Sequence, residues 1–162
     1  MKWKNVFFLE SEGGRPAPEK SLFHVLPVPY EKTVSYGRGT ARGPEAILAA
    51  SQQLEGYDGV STPLEHGIYT HDAVDCSARA PIVLAEIERV THSILSSGKI
   101  PVTLGGEHTV SYGPACAMKK HFGRIGVIHF DAHADLRDEF EGYDFSHACV
   151  MRRIHEQGAE IV

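Results

Sequence analysis

Ile125-Gly-Val-Ile-His-Phe-Asp131-Ala-His133-Ala-Asp135 is the stretch that decides both the fold and the chemistry of this chain. Its first half is a near-continuous apolar run bounded by glycine, which predicts a strand buried on both faces. In extended backbone, alternate side chains point the same way, so Asp131, His133 and Asp135 can converge on one point. Two carboxylates and an imidazole at the end of a buried strand indicate a divalent-metal site, since open α/β sheets bind ligands at the carboxyl ends of their strands.

Helix and strand patterns alternate around that stretch. Strands are predicted at 22–26 and 100–104, more weakly at 67–70, and from residue 160; helices are predicted at 44–55, 81–97, 110–121 and 146–157. A strand, helix, strand order implies parallel strands joined by right-handed crossovers, so the predicted class is α/β. The two best strands both end in metal-ligand types, with His108 after the first and Asp131 opening the ligand run after the second.

Length and composition exclude several classes of protein. A chain of 162 residues, 42% of them hydrophobic, is long enough for one domain with a real core. Its net charge of -5, with scattered basic residues, argues against nucleic acid as a partner. The apolar run at 6–9 is too short for a signal sequence or a membrane span. Cys76, Cys116 and Cys149 are widely spaced and contain no CxxC pair, which favours a reducing cytoplasm over a disulfide framework or a zinc ribbon.

Three motifs together closely resemble the arginase/agmatinase family of ureohydrolases, and agmatinases in particular. They are Gly105-Gly106-Glu107-His108, the Asp131-Ala-His133-Ala-Asp135 run and Ser146-His147. The likeness continues through Val28-Pro-Tyr30, 35–47 and 54–58 and covers the chain from about residue 22 onward. It implies a three-layer α/β/α fold with a mainly parallel sheet, of the arginase/deacetylase type, preceded by an N-terminal extension over residues 1–20.

The resemblance also implies a site for two manganese ions. His108, Asp131 and Asp135 would bind one ion, and His133 would bind the other together with Asp131, which bridges the two. A hydroxide held between the ions would attack the guanidinium carbon of a small cationic substrate, best matched by agmatine, giving putrescine and urea. His147 matches the family's proton-carrying histidine, a role that an imidazole pKa of about 6.5 suits. Arginase, guanidinobutyrase and formimidoylglutamase reactions are the related alternatives.

Two residues beside the expected ligands have two interpretations each. Glu107 could orient a ligand histidine from behind, or it could be a solvated loop carboxylate. His129 shares strand parity with Asp131 and could support the site, although a core histidine bonded to backbone is favoured.

The loop that follows the ligand run, 136–145, contains the candidates for substrate contact. These are Arg137, Asp138, Glu139, Glu141 and Asp144. The four acids suit the cationic tail of agmatine, but a solvated acidic loop has the same composition, and Arg137 could still meet a carboxylate.

One family motif is absent from these 162 residues. The family completes its metal cluster with a later Asp-x-Asp, whereas this sequence has no such pair and no aspartate after Asp144. Residues 160–162 look like the opening of another strand. We therefore expect residues 1–162 to be a single incomplete ureohydrolase domain that lacks its C-terminal half and is inactive alone. By resemblance, the complete protein would be a homo-oligomer, either a trimer or a hexamer.

Two other interpretations remain open at this point. The chain could be an inactive fragment or a subunit that needs a partner to complete its metal site. It could also be a mononuclear iron enzyme, since His133-Ala-Asp135 followed by His147 supplies two histidines and a carboxylate. That triad usually lies in an all-β barrel, which the predicted alternation of helices and strands does not favour.

Overall fold

The computed structural model describes residues 6–162, which form five parallel strands and five α-helices. The strands are β1 Phe23–Val28, β2 Ile68–Thr70, β3 Ile100–Gly105, β4 Gly126–Val127 and β5 Glu160–Ile161. The helices are α1 Glu10–Gly13, α2 Gly43–Ala50, α3 Ala80–Ser96, α4 Tyr112–Phe122 and α5 Val150–Glu156. Short 3-10 helices lie at Pro18–Lys20, Thr40–Arg42, Ser51–Gln53, Pro63–His66 and His108–Ser111. Parallel strands joined through helices confirm the predicted α/β class.

The strands form two separate sheets. In the larger sheet β1 lies between β2 and β3, and Phe23 is in register with Ile68 on one side and Ile100 on the other. In the smaller sheet β4 pairs with β5. Within residues 6–162 no ladder joins β3 to β4, so each of these strands has one open edge.

β1 is the most deeply buried strand, because both of its edges are paired and α3 covers one face. Five of its six residues are buried, and Leu26 and Val28 share a cluster with Ile87 of α3. This strand was predicted to end at residue 26, but it continues through Pro27 to Val28. Pro27 lies beyond the last β1–β2 pair, Val25 with Thr70, so its missing N–H removes no ladder bond.

Helix α4 is the element that the two sheets share. On one flank it packs on α3 so closely that a Cβ at Gly113 would lie 2.7 Å from the Ile87 side chain. On the other flank, Tyr112 and Ala115 contact the apolar cluster that α5 forms with β4 and β5. α4 therefore fixes how the two sheets are placed relative to each other.

The strand predicted at the start of the deciding stretch is shorter and more exposed than the apolar run indicated. Only Gly126–Val127 is regular, and Ile128 and Phe130 are 72% and 92% exposed. Ile125 and Val127 pack toward α5, so the odd-numbered side chains are covered and the even-numbered ones are not. The expectation of burial on both faces was wrong for this reason.

The helix predicted at 146–157 begins four residues late. Residues 146–149 form a turn closed by a hydrogen bond from Cys149 N to Ser146 O of 3.1 Å, and α5 starts at Val150. This turn presents His147 away from the helix, toward the segment that follows β1.

The described part of the predicted N-terminal extension packs on the larger sheet. Phe8 N donates to the Thr70 hydroxyl at 2.9 Å, and the Phe7 ring meets the Tyr69 ring edge-on at 5.5 Å. Residues 1–5 of that extension lie outside the described residues.

Two further findings bear on the protein's surroundings. Within residues 6–162, no helix combines the length and apolar character that a membrane crossing requires. Cys76, Cys116 and Cys149 are all free thiols.

Gly106 follows β3 at a point where two backbones nearly touch, which generates a stability prediction. A Cβ at this position would lie 2.1 Å from the Tyr30 carbonyl oxygen. Gly106→Ala should therefore lower the free energy of unfolding by about 1–3 kcal/mol, because backbone must move to relieve the clash. Urea unfolding followed by circular dichroism measures it. The matched control is Gly126→Ala, whose Cβ would find its nearest neighbour at 4.0 Å. Equal unfolding midpoints for the two variants would contradict the close approach.

Candidate metal centre

The carboxyl ends of β3 and β4 bring four potential metal ligands together. His108 follows β3, while His129, Asp131 and Asp135 follow β4. One donor atom from each of the four lies within 4.8 Å of all the others. In the tightest contact, His108 Nδ1 is 2.6 Å from Asp135 Oδ2. Because no ladder joins the two strands within residues 6–162, this side-chain contact directly links the ends of the two sheets.

Asp135 is held in place by the start of α5. Its carbonyl oxygen accepts hydrogen bonds from Met151 N at 3.1 Å and Arg152 N at 3.2 Å, which are otherwise unpaired donors in the first turn of the helix. Its backbone is left-handed, with φ 49°, a region that aspartate visits more readily than most residues. The helix thus fixes an unusual turn that aims the Asp135 carboxylate at His108.

Asp131 faces a different histidine set with each of its two oxygens. Oδ2 lies 3.7 Å from His108 Nδ1 and 3.6 Å from His129 Nε2. Oδ1 accepts a hydrogen bond from His133 N at 2.9 Å and lies 3.3 Å from His133 Nδ1. The backbone N–H of His133 and the neighbouring imidazoles lower the pKa of Asp131, so this carboxylate is ionised at neutral pH. This geometry is what a carboxylate needs in order to bridge two cations.

His129 lies in the cluster, which matches the interpretation that it supports the site rather than the favoured one of a core histidine bonded to backbone. Its ring stacks on that of His108 at 5.1 Å, and its side chain is 11% exposed. Its backbone N–H donates to Val162 O, but its buried Nε2 has no hydrogen-bond partner among the described residues. Strand parity with Asp131 was the signal that pointed to it. A buried imidazole nitrogen without a hydrogen-bond partner raises the free energy of the folded protein. A metal ion bound at His129 Nε2 would remove this cost.

The donor set fits one divalent ion well and a second only in part. Two imidazoles and two carboxylates converge on the first position, a mixture that suits Mn²⁺ and similar ions. On the other side of Asp131, the described residues supply only His133, whose side chain is 81% exposed. The second position therefore has two donors, Asp131 and His133, from this part of the chain.

Glu107 is a buried structural anchor beside the ligand His108. Its Oε1 accepts from Lys32 N at 2.7 Å and Thr33 N at 2.8 Å, while its Oε2 accepts from the hydroxyls of Thr33 and Thr109. Only 2% of its side chain is exposed, so it is not a solvated loop carboxylate. It ties the segment after β1 to the segment after β3.

His147 lies on the wall of the cleft that three of the four candidate ligands, His108, Asp131 and Asp135, also line. Its backbone N–H donates to Thr33 Oγ1 at 3.2 Å, and its Nε2 lies 3.0 Å from Ser35 Oγ. Its Nδ1 is buried, with no hydrogen-bond partner in the described residues. Thr33 and Ser35 were not among the site residues predicted from sequence, although Ser35 opens the 35–47 segment that shares the family likeness. The structure makes them the residues that hold His147.

The substrate-loop candidates divide into one residue that lines the cleft and several that do not. The cleft, about 850 Å³ in volume, is lined by Arg137, whose guanidinium lies 5.0 Å from the centre of the Phe140 ring. Asp138 instead pairs with Arg153 at 2.7 Å, and this bond lowers its pKa. The remaining acids are exposed on the loop: Glu139, Glu141 and Asp144.

Comparisons with known proteins bear on this arrangement. The arginase family profile matches residues 21–161. The N(1)-aminopropylagmatine ureohydrolase of Synechocystis is 41% identical over 160 residues, which is 93% of this chain and 52% of the relative. An agmatine ureohydrolase structure from Thermoplasma volcanium superposes with a TM-score of 0.84 at 28% identity, covering 98% of this chain and 56% of that one.

A third comparison extends the fold to a manganese protein. The formiminoglutamase of Trypanosoma cruzi, solved with Mn²⁺, superposes with a TM-score of 0.79 at 22% identity, covering 91% of this chain and 52% of that one. This similarity concerns the fold alone. The chain spans about half the length of the relatives it matches.

The buried Glu107 generates a prediction for the loop it anchors. Glu107→Gln keeps the size of the side chain but replaces one of its two acceptor oxygens by an NH₂ donor. Either the backbone N–H groups of Lys32 and Thr33 or the hydroxyls of Thr33 and Thr109 then lose their acceptor. The free energy of unfolding should fall by about 1–3 kcal/mol. The amides of Lys32 and Thr33 should exchange faster with deuterium.

Glu55→Gln is the matched control, because Glu55 is exposed and should tolerate the change. Unchanged exchange at Lys32 and Thr33 in Glu107→Gln would contradict the anchoring role.

Proposed function

Because the chain belongs to the arginase family, we propose that it forms the N-terminal part of a manganese-dependent ureohydrolase that hydrolyses agmatine to putrescine and urea. The observation that carries the proposal is the convergence of His108, Asp131 and Asp135 in one cleft, with His147 on its wall. A metal site of unrelated function would not require a histidine such as His147 on the cleft wall, held there by Thr33 and Ser35.

The reaction breaks the bond between the guanidinium carbon and the alkyl nitrogen. Divalent ions held by His108, Asp131, Asp135 and His133 would supply a Lewis acid and lower the pKa of water. The oxygen of that water ends in urea, and the leaving amine takes up a proton. His147 would move that proton. This role is supported by its position on the cleft wall, where Thr33 accepts from its backbone N–H and Ser35 Oγ lies 3.0 Å from its Nε2.

The acids on the loop beside the cleft support an amine rather than an amino-acid substrate. The described loop supplies exposed acids, Glu139, Glu141 and Asp144, that would attract the cationic tail of agmatine. Arg137 is the one basic group of the loop at the cleft, and its guanidinium faces the Phe140 ring. A second candidate substrate is N(1)-aminopropylagmatine. The observation that supports it is that the 41%-identical Synechocystis relative is named an N(1)-aminopropylagmatine ureohydrolase.

We further propose that the metal centre is completed from outside these 162 residues. Asp131 and His133 alone cannot hold a second divalent ion tightly, because each missing carboxylate removes both charge and geometry. The isolated chain would then be inactive. A subunit that needs a partner to complete its metal site would be one form of this proposal.

We also propose a cytoplasmic location and a homo-oligomeric state. A reducing cytoplasm suits three free thiols, and burial raises the pKa of the Cys76 thiol to about 11, which keeps it protonated and unreactive. A homo-oligomer, either a trimer or a hexamer, remains the expectation from the family.

A chimeric enzyme tests the function. Residues 21–161 of this chain replace the matching part of the Synechocystis relative. The manganese content of the purified chimera serves as the readout of folding. We expect urea release from agmatine or N(1)-aminopropylagmatine, but little from arginine or guanidinobutyrate. Asp131→Asn should lower kcat by about 100-fold or more, because it removes the bridging charge. The isolated 162-residue chain should release no urea and keep little manganese after dialysis.

The control is Asp58→Asn, since Asp58 closes an exposed turn through Val60 and Ser61 outside the cleft. A chimera that retains manganese yet releases no urea from any of the four compounds would sink the proposed activity. Turnover by the isolated chain would refute its incompleteness.

A further inference from the structure

We propose that the imidazoles of His24 and His71 form an acid-sensitive latch, which holds the N-terminal segment, residues 6–20, on β1 and β2 at neutral pH and releases it when both rings are protonated. Neither histidine lines the metal cleft, and the latch does not rest on the proposed function. It rests on the hydrogen bonds of the pair, on the burial of the two rings and on the aromatic side chains around them.

The hydrogen bonds of the pair determine where its protons lie. His24 Nε2 is 3.1 Å from the Pro18 carbonyl oxygen, which can only accept, so this nitrogen carries the proton. The other nitrogen of the neutral ring, Nδ1, is then an acceptor. It lies 2.9 Å from His71 Nε2, which must therefore be the donor. The pair thus forms a directed chain of hydrogen bonds from β2 through β1 to the 3-10 helix Pro18–Lys20.

Two added protons are incompatible with this chain of hydrogen bonds. The first can enter at His71 Nδ1, which takes no part in the bond between the rings, so that bond stays intact. The second must enter at His24 Nδ1, where its N–H would face the N–H of His71 Nε2 across 2.9 Å. Two donors and two positive charges would then meet, so the rings have to separate. The link between β2 and the N-terminal segment is lost at that point.

Burial makes the pair costly to charge. Only 5% of His24 is exposed, and the pKa of His71 is lowered, first by burial and then by the neighbouring His24. The protonated form is therefore disfavoured in the folded protein. The stability that the pair contributes is present above the pKa of a histidine in an unfolded chain, about 6.5, and is lost as the pH falls below it.

The charged groups around the pair do not cancel this effect. Asp72 favours the protonated form of His71, but its influence on the pKa is smaller than that of burial and of His24. The 3-10 helix contributes two exposed side chains of opposite charge, and α3 contributes an ion pair of 2.6 Å to the groove that His71 lines. These groups are Glu19, Lys20, Glu86 and Arg89. Each of these two sets is neutral in sum.

An aromatic ring connects the pair to the N-terminal segment. The Tyr69 ring centre lies 4.9 Å and 5.4 Å from the centres of the two imidazoles, and the same ring meets Phe7 edge-on at 5.5 Å. One residue further along β2, the Thr70 hydroxyl accepts from Phe8 N. Separation of the two imidazoles would displace Tyr69 and loosen both contacts. Residues 6–20 should therefore open at a pH at which the core of the domain is still folded.

Hydrogen exchange of the 162-residue chain at two pH values tests the latch. The probes are the amides of Phe8 and Leu9, which donate to the hydroxyls of Thr70 and Ser51. Between about pH 8 and about pH 5.5, their protection, corrected for the intrinsic pH dependence of exchange, should fall about tenfold or more, since one pKa unit is a tenfold change in population. The amide of Ile87, a buried residue of α3, should keep its protection.

His71→Gln is the diagnostic variant. Its side-chain amide can donate to His24 Nδ1 or, after a flip, accept from it, but it does not titrate. The protection of its Phe8 amide should change by less than about twofold between the two pH values. His66→Gln is the matched control, because His66 is exposed outside the pair, and this variant should respond to pH as the unaltered chain does.

Nuclear magnetic resonance of the ring nitrogens gives a second measurement, which needs no variant. At about pH 8, two-bond couplings between ring hydrogens and nitrogens should place the proton of both His24 and His71 on Nε2. A His24 proton on Nδ1 would overturn the latch. So would protection of Phe8 that does not change with pH in the unaltered chain, loss of protection at Ile87 together with Phe8, or an equal pH response in His71→Gln. If His71→Gln does not fold, the tautomers and the pH response of the unaltered chain still decide.

Discussion

The contact between His108 and Asp135 is the interaction on which the functional part of this structure depends. It joins the ends of β3 and β4, two strands that share no ladder within residues 6–162. Without helix α4 beneath both sheets, the two ends would have no reason to meet. Within residues 6–162, the candidate metal ligands are therefore placed by helix packing rather than by hydrogen bonds between neighbouring strands.

Two anchors turn that approximate meeting into a defined site. Asp135 is held by the first turn of α5, which donates two backbone hydrogen bonds to its carbonyl oxygen. Glu107 is held in a buried network with Thr33 and Thr109, and Thr33 in turn accepts from the backbone of His147. The candidate metal ligands and the proton-carrying candidate thus belong to one connected framework. A substitution in the loop after β1 should therefore change the position of His147.

Much of this arrangement is predictable from sequence, because the relevant signals are local. The alternation of ligand types in Asp131-Ala-His133-Ala-Asp135, the periodicity of α3 and the glycines after β3 all act over a few residues. The α/β class and the meeting of His108 with Asp131 and Asp135 follow from them. The alternation also predicted that His133 would converge with the two aspartates, which was wrong: Asp135 has a left-handed backbone, and His133 is not in the cluster of four, its side chain being 81% exposed. The family resemblance added the expected roles of these residues.

The remainder depends on tertiary context. Burial of Ile128 and Phe130 was expected from their apolar character, but burial requires a covering layer, and the described residues cover only the face toward α5. The partners of Glu107 and the hydrogen bond between Ser35 and His147 join segments far apart in the chain, and the unpartnered ring nitrogen of His129 also depends on how those segments pack. The Asp138 carboxylate likewise forms an ion pair with Arg153. The composition of the loop does not predict this partner.

We propose that this chain holds one wall of a two-ion centre in which Asp131 is the bridge. Electron paramagnetic resonance of Mn²⁺ in the chain assembled with its complementary half tests it most directly. The account predicts the spectrum of two spin-coupled ions, replaced in Asp131→Asn by that of uncoupled Mn²⁺. A single uncoupled ion in the unaltered assembly, or a coupled pair that survives Asp131→Asn, would contradict it.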